Sequence, residues 1–170
     1  ADARYGFQHN GIVAGNGRVY CLDKLPIGIE KKLERRGQAP PTDYRIIALD
    51  AATGKVLWEE GESIFGSWLG YSAGHDVLLQ AGARAPDRLP DEVGQGMIAY
   101  RGQDGTILWQ KMDLQYAGPC MLHNDTIITN VASYNASAGA FSLLDGSPVL
   151  TTNPLTGEEE PWHYERTYGC

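Results

Sequence analysis

The sequence contains an internal repeat. Residues 47–58 (IALDAATGKVLW) align without gaps on residues 98–109 (IAYRGQDGTILW), 51 positions further along the chain. Each copy has a short apolar run, a turn that contains Gly54 or Gly105, and a second apolar run that ends in tryptophan. Glycine adopts the positive φ angles of tight turns without steric cost, so each copy predicts a β-hairpin. A repeat of this length restricts the chain to architectures built from one recurring unit.

A third, weaker copy lies at residues 140–150 (AFSLLDGSPVL), where Leu150 stands at the position of the tryptophan. Pro148 lacks a backbone N–H for a β-ladder, which predicts that this outer strand is an edge strand. The pair Thr156-Gly157, followed by Trp162, also fits the role of the third copy, one residue out of register. The sequence leaves both interpretations open.

A second hairpin signal precedes each copy. Asn16-Gly17 separates two apolar runs in the first unit, and residues 74–76 and 123–125 do so in the next two. Asn-Gly between apolar runs is the strongest short-range hairpin signal. Each unit therefore has four short strands, and four-stranded units that recur every roughly 40–50 residues are typical of β-propeller blades.

We therefore predict an all-β fold, a partial β-propeller of about three four-stranded antiparallel blades, over residues 1–170. Blade 1 is expected at about residues 7–60, blade 2 at 64–112 and blade 3 at 116–164, with the start of a further blade at 165–170. Closed propellers have about four to eight blades, so three blades leave two apolar sheet faces uncovered. The expected partners are the remaining blades of a longer chain or other copies of this one.

The repeat also resembles a motif of a known family. The segment from Ala48 to Trp58 resembles the tryptophan-docking motif of pyrroloquinoline quinone (PQQ)-type propellers, A-x-D-x-x-T-G-K-x-x-W. The second copy has Arg101 in place of the aspartate. The resemblance implies that each indole packs against the neighbouring blade, where a large flat side chain contributes much contact area. It implies a structural docking role for four residues: Trp58, Trp109, Gly54 and Gly105.

Three further stretches, residues 16–24, 78–98 and 153–170, are similar to large secreted PQQ-like propeller proteins of environmental bacteria. This resemblance implies a periplasmic or extracellular location. Quinoprotein dehydrogenases of this family enclose PQQ with a vicinal disulfide, a calcium or lanthanide ion and a catalytic aspartate. The three cysteines of this chain, Cys21, Cys120 and Cys170, are not adjacent. We therefore expect no cofactor in this segment, and PQQ only where further blades complete a ring.

Charge and hydropathy exclude several classes of function. The formal net charge is −7, whereas a nucleic-acid-binding protein needs a basic footprint. No apolar run reaches the roughly 18–20 residues of a membrane span. The four histidines are dispersed, and no nucleophile motif such as G-x-S-x-G is present. The sequence thus predicts no nucleic-acid partner, no membrane span, no metal site and no catalytic residues.

The blades differ most in the connector between their second and third strands, at residues 24–44, 84–95 and 131–138. In a propeller these connectors emerge on one face, and long loops on a rigid scaffold usually carry binding residues. The second connector concentrates charges of both signs. It provides the candidate ligand-binding residues: Arg84, Asp87, Arg88, Asp91 and Glu92.

The first connector is expected to form a short helix. Leu25, Ile29 and Leu33 recur at a spacing of four residues, and Gly37 suits the position after the helix C-terminus. The apolar stripe of this helix should lie on the propeller face.

The leading functional hypothesis is a non-catalytic propeller scaffold or binding module, a fragment of a larger propeller protein, with a protein as partner. One alternative is a part of a PQQ-dependent quinoprotein oxidoreductase whose active site lies in missing blades. Another is a structural assembly subunit that closes a ring with other copies.

Overall fold

A computed structural model describes residues 2–85, 89–131 and 137–165 of the chain. These residues form one helix and fourteen strands. The elements, in chain order, are β1 (Phe7–Gly15), β2 (Arg18–Asp23), α1 (Ile27–Arg35), β3 (Arg45–Asp50), β4 (Val56–Glu60), β5 (Trp68–Ser72), β6 (Val77–Ala81), β7 (Gln95–Arg101), β8 (Ile107–Gln115), β9 (Ala117–His123), β10 (Thr126–Asn130), β11 (Ser137–Ser142), β12 (Leu150–Thr152), β13 (Glu159–Pro161) and β14 (His163–Glu165).

The strands build three four-stranded antiparallel sheets. The strand orders are β1-β2-β3-β4, β5-β6-β7-β8 and β9-β10-β11-β14, and every neighbouring pair is antiparallel. Three such sheets in succession are the blades of a propeller. The predicted all-β partial propeller of three four-stranded blades is therefore confirmed. We call the sheets blade 1, blade 2 and blade 3.

Two apolar clusters hold the blades together, one between blades 1 and 2 and the other between blades 2 and 3. Successive side chains of a strand point to opposite faces of its sheet. In β6, Leu78 therefore belongs to the first cluster and Leu79 to the second. In β7, Ile98 and Ala99 divide in the same way. Because both faces of blade 2 are covered, its inner strands carry runs of consecutive buried residues that are mostly apolar, with Gln80 as a buried polar member of β6.

A hairpin interrupts the outermost strand of blade 3. Pro148 forms an isolated β-bridge with Phe141, after which the chain leaves the sheet and forms the hairpin β12–β13. The outer strand then resumes as β14, where His163 pairs with Gly139. Each interpretation of the third copy is thus right in part. The segment of Pro148 begins the outer strand, and the segment after Trp162 completes it.

Helix α1 lies in the connector between β2 and β3, where a short helix was predicted. Gly37 has a φ of +73° and donates from its N–H to Glu34 O at 2.9 Å. The N–H of Gln38 donates to Leu33 O at 3.0 Å, which completes a Schellman cap. Ile29, in the expected apolar stripe, is 39% exposed, so the helix adds little to the core. Within the described residues, no helix has the length and apolar character to cross a membrane.

A buried carboxylate fastens the N-terminal segment to blade 1. Asp23, at the end of β2, is fully buried and accepts hydrogen bonds from the backbone N–H groups of Arg4, Tyr5 and Gly6 at 2.7–3.1 Å. Arg45 Nε adds a fourth hydrogen bond at 3.1 Å. Burial alone would raise the pKa of Asp23, but these hydrogen bonds outweigh it and hold the pKa below its usual range.

We predict that Asp23→Asn destabilises the protein by roughly 1–2 kcal/mol at pH 7, because it removes the charge from a buried acceptor of four hydrogen bonds. A carboxylate with a lowered folded-state pKa stabilises the fold above the unfolded-state pKa of about 3.9. This contribution is lost as the pH falls through the folded-state pKa. Urea unfolding at pH 7 and below about pH 4 should therefore show a difference between wild type and variant that shrinks in acid.

Asp113→Asn, at an exposed position of β8, is the matched control and should change the free energy of unfolding little at either pH. An equal loss of stability in both variants at pH 7 would contradict the role given to Asp23.

Candidate functional site

Trp58, on the outermost strand of blade 1, contacts the turn between the third and fourth strands of blade 2. Its Nε1 donates to Gly102 O at 2.9 Å. The indole covers Gly105, where an added Cβ would lie 2.8 Å from Trp58 Cε3. Gly105 also has a φ of +77°. Both the backbone conformation and the closeness of the indole therefore require glycine at this position.

Trp109 makes the same contact one blade further along. Its Nε1 donates to Leu143 O at 2.8 Å, and an added Cβ on Gly146 would lie 3.0 Å from Trp109 Cε3. In the repeat, Leu143 and Gly146 correspond to Gly102 and Gly105. The two blade interfaces thus share one geometry, in which an indole covers a glycine and donates to a nearby carbonyl.

We call the segments that receive these indoles glycine turns. They comprise residues 50–55 in blade 1, 101–106 in blade 2 and 142–147 in blade 3. In each, the glycine N–H donates to the carbonyl of the first residue at 2.8–2.9 Å, and the glycine has a φ of +69° to +77°. The turn of blade 1 differs in its surroundings, because no described atom lies within 4 Å of the Cβ position of Gly54.

A polar network, not anticipated from the sequence, joins blade 1 to both turns of blade 2. Arg18 on β2 pairs with Asp76 and donates to Tyr71 Oη at 3.1 Å. Tyr71 Oη donates to Asp76 Oδ1 at 2.6 Å, and Asp76 Oδ2 accepts from Gln103 N at 3.1 Å. Arg18 and Asp76 are 58 positions apart. Only the packing of blades 1 and 2 brings them together.

The first and second connectors meet. Lys31 of α1 forms an ion pair with Asp91 in the connector between β6 and β7. The hydrogen bond from Lys31 and its positive charge hold the pKa of the Asp91 carboxyl below its usual range. The Asp91 side chain is 73% exposed, so water screens the pair and it adds little to stability.

The structure places three of the five predicted ligand-binding residues. Arg84 is exposed and lies where blades 2 and 3 meet, whereas Asp91 pairs with α1 near blade 1. Glu92 is half-buried, and its Oε2 has no hydrogen-bond partner among the described residues. Asp87 and Arg88 lie outside the described residues.

Arg84 borders a cavity of about 310 Å³ between blades 2 and 3. Gln115, Tyr116 and Asn130 supply other polar parts of its wall. Tyr116 Oη already donates to a backbone carbonyl at 2.8 Å and accepts from a backbone N–H at 2.6 Å. The cavity therefore offers a guanidinium and two amide side chains to a small polar or anionic molecule.

The other described residues offer little reactive chemistry. His75 and Asn124 line a second cavity, of about 320 Å³, between neighbouring turns of blades 2 and 3. Within the described ranges, no three histidine, cysteine or carboxylate side chains lie close enough together to hold a metal ion. Cys21 and Cys120 are free and buried in different blades. Burial raises the pKa of Cys120 to about 12, so its thiol is not a nucleophile at neutral pH.

Comparison with known proteins identifies the fold. No protein-family model and no curated protein matches the sequence. Among solved structures, the chain is similar to the quinohemoprotein alcohol dehydrogenase from Comamonas testosteroni, with a TM-score of 0.50 and 12% identity over 85% of this chain and 20% of that one. A europium-containing methanol dehydrogenase gives a TM-score of 0.47 and 11% identity over 86% of this chain and 26% of that one. BamB from Moraxella catarrhalis gives 0.43 and 14% identity over 98% and 37%, respectively.

At 12% identity, the likeness to the alcohol dehydrogenase shows the fold alone. The chain is a PQQ-like, propeller-type protein in its architecture, as the resemblance of the repeat implied. It spans only 20% to 37% of the lengths of these three structures.

We predict that Gly105→Ala destabilises the protein more than Gly54→Ala does. Both substitutions put alanine in the left-handed region, which costs about 1 kcal/mol or more. Only the Cβ of the Gly105 variant would meet an indole, so it should cost a further 1–3 kcal/mol, approximately. Chemical unfolding followed by tryptophan fluorescence measures both. Equal losses in the two variants would show that the indole contact does not stabilise the interface.

Proposed function

We propose that this chain is a non-catalytic segment of a larger β-propeller and serves as a scaffold or binding module. One observation carries this proposal. Each end of the three-blade arc has only one partner of the indole contact, either a glycine turn or a tryptophan, and the other partner is not among the described residues. Blade 1 displays the open glycine turn of Gly54. Blade 3 displays Trp162. Further blades would supply the missing partners.

The outward face of blade 3 supports the proposal, because it repeats the face with which blade 2 contacts blade 3. Leu79 pairs with Ala99 in blade 2, and Ile128 pairs with Ala140 in blade 3. Leu79 is fully buried against blade 3. Ile128 is only half-buried, and Met121, which pairs with it, is 62% exposed. An exposed apolar face of this kind is typical of an interaction surface.

The position of Trp162 supports it as well. Extending the register of β14 by one residue puts Trp162 across from Ala140, as Trp58 is paired with Ala48 in blade 1. We therefore assign a docking role to three tryptophans, each of which would cover the glycine turn of the next blade. In this assignment Gly54 and Gly105 are receiving positions, and Trp58, Trp109 and Trp162 are the inserted side chains.

The proposed occupants of the two open faces are further blades of a longer polypeptide, since closed rings need about four to eight blades. The alcohol dehydrogenase with the same fold is much longer, and this chain covers 20% of it. A ring closed by other copies of this chain is the structural alternative, because the two ends are complementary. The resemblance of residues 16–24, 78–98 and 153–170 to secreted PQQ-like proteins supports a periplasmic or extracellular location and a protein as partner.

As a binding module, the chain would use the face that carries the connectors. We keep Arg84, Asp87, Arg88, Asp91 and Glu92 as the proposed ligand-binding residues. The cavity beside Arg84 suits a carboxylate or phosphate, because a guanidinium forms paired hydrogen bonds with either group.

A second candidate function is supported by the likeness to the quinohemoprotein alcohol dehydrogenase, which would make these blades part of an oxidoreductase. The described residues do not fit a calcium-bound quinone, because they contain no cluster of three carboxylate, histidine or cysteine side chains. Cys21 and Cys120 also lie in different blades. In such an enzyme, this part of the chain would support a site built by other blades.

We predict that the 18.5 kDa chain self-associates in solution through its open apolar faces. Met121→Arg should weaken this association, because it puts a charge on the exposed face of blade 3. Leu89→Arg is the matched control, since Leu89 is an exposed leucine in a connector. Sedimentation velocity of the three proteins measures the effect. A wild-type chain that stays monomeric would contradict the proposal that the arc is incomplete.

We also predict no alcohol oxidation after reconstitution of the chain with PQQ and calcium, measured with an electron-accepting dye. Turnover above that of free PQQ and calcium would favour the oxidoreductase and overturn the non-catalytic assignment.

A further inference from the structure

The hairpin β12–β13 of blade 3 carries a fourth glycine turn, residues 153–158. Asn153 N donates to Glu158 O at 2.8 Å, and Gly157 N donates to Asn153 O at 2.8 Å. Gly157 has a φ of +74°. These are the backbone bonds and the glycine conformation of the turns in the three blades.

The side-chain hydrogen bonds match as well. Asn153 Oδ1 accepts from the N–H groups of Leu155 and Thr156 at 2.9 and 3.3 Å. In the turn of blade 1, Asp50 Oδ1 accepts from the two equivalent N–H groups at 3.2 and 2.7 Å. In both turns the threonine hydroxyl accepts from the N–H two residues further on. The hairpin thus reproduces a turn that elsewhere belongs to a blade.

The molecule itself shows what such a turn binds. On Gly105 and Gly146, an indole covers the glycine and donates to the carbonyl of the second residue of the turn. In the hairpin, the second residue is Pro154, which is exposed. No described atom lies within 4 Å of the Cβ position of Gly157. Both parts of the indole contact are therefore accessible on this turn.

The hairpin is not needed to complete its blade. Blade 3 has its four strands when β14 is included, and β12–β13 form a separate two-stranded sheet. Leu155, at the tip, is 94% exposed. A leucine in water next to an open glycine turn gives the tip an apolar surface that a partner could cover.

At the contact of Trp109, a basic residue accompanies the indole, whereas Glu60 stands two positions after Trp58. Two positions after Trp109, Lys111 Nζ donates to Gly146 O at 2.7 Å. In the hairpin, the equivalent glycine is followed by Glu158 and Glu159, both exposed. A basic residue two positions after a docked tryptophan would therefore be able to donate to the carbonyl of Gly157 and to pair with the carboxylates of Glu158 and Glu159.

We propose that the hairpin β12–β13 binds a tryptophan side chain carried on a β-strand of another protein, with lysine or arginine two positions after that tryptophan. The indole covers Gly157, donates from Nε1 to Pro154 O and buries part of Leu155. Buried aromatic anchors of this kind dominate the energetics of protein interfaces. The site lies on its own two-stranded sheet, outside the four strands of blade 3.

The test uses the full chain labelled with ¹⁵N and, as probe, a peptide with the sequence of residues 105–115 (GTILWQKMDLQ), which has the required tryptophan and lysine. The peptide should shift the amide signals of Leu155, Thr156 and Gly157 in a saturable manner. The same peptide with W109A should leave them unchanged. Equal shifts with both peptides, or no shift with either, would overturn the proposal. The turn of Gly54 is open as well, and its signals are followed separately.

Gly157→Ala should weaken binding of the peptide at the hairpin about tenfold or more, because its Cβ occupies the surface that the indole covers. Gly37→Ala is the matched control. Gly37 has a φ of +73° and likewise has no described atom within 4 Å of its Cβ position, so the backbone cost is the same and binding should remain. Unchanged signals from the blades show that the variants are folded. Equal affinity of the two variants would overturn the proposal.

The same spectra identify the occupant. If the signals of residues 153–158 shift with protein concentration when no peptide is present, a second copy of this chain occupies the turn. That result would overturn the assignment to another protein.

Discussion

The packing of apolar sheet faces against one another holds the blades of this arc together. Blade 2 has both neighbours within the chain, with Leu78 packed toward blade 1 and Leu79 toward blade 3. The outer indoles then fix how closely the blades approach, because each covers a glycine where a side chain would not fit. Blades 1 and 3 have a described blade on one side only, and the proposal that further blades cover their other faces rests on this observation.

Features set by local pattern could be predicted from the sequence. Short apolar runs, glycines that tolerate a positive φ and a gap-free repeat together indicate four-stranded sheets. The position of the tryptophans was implied by the resemblance to PQQ-type propellers and not by local pattern; in the structure, Trp58 and Trp109 donate to carbonyls of the next blade. Strand alternation and turn conformation need no knowledge of distant contacts, because they are properties of neighbouring residues.

Features set by the packing of blades could not be predicted. Arg18 and Asp76 are brought together only when two sheets face each other, and Asp91 finds Lys31 only when two connectors meet. In blade 3, the turns of Gly146 and Gly157 looked like alternatives because a blade needs one such turn. Both turns are present in the structure. No local sequence pattern shows that the chain leaves the outer strand after Pro148, forms a hairpin and then returns to the same strand at β14.

The outermost strand of blade 3 keeps its register on both sides of the hairpin, from the bridge of Pro148 to the pairing of His163. An outermost strand bonds to one neighbour only, so a departing segment removes few ladder bonds and disturbs no inner strand. The outermost strand of a blade therefore tolerates the insertion of a peptide segment. An epitope, a reporter peptide or an unrelated recognition loop placed between these two residues should be displayed outward while the rest of the sheet folds as before.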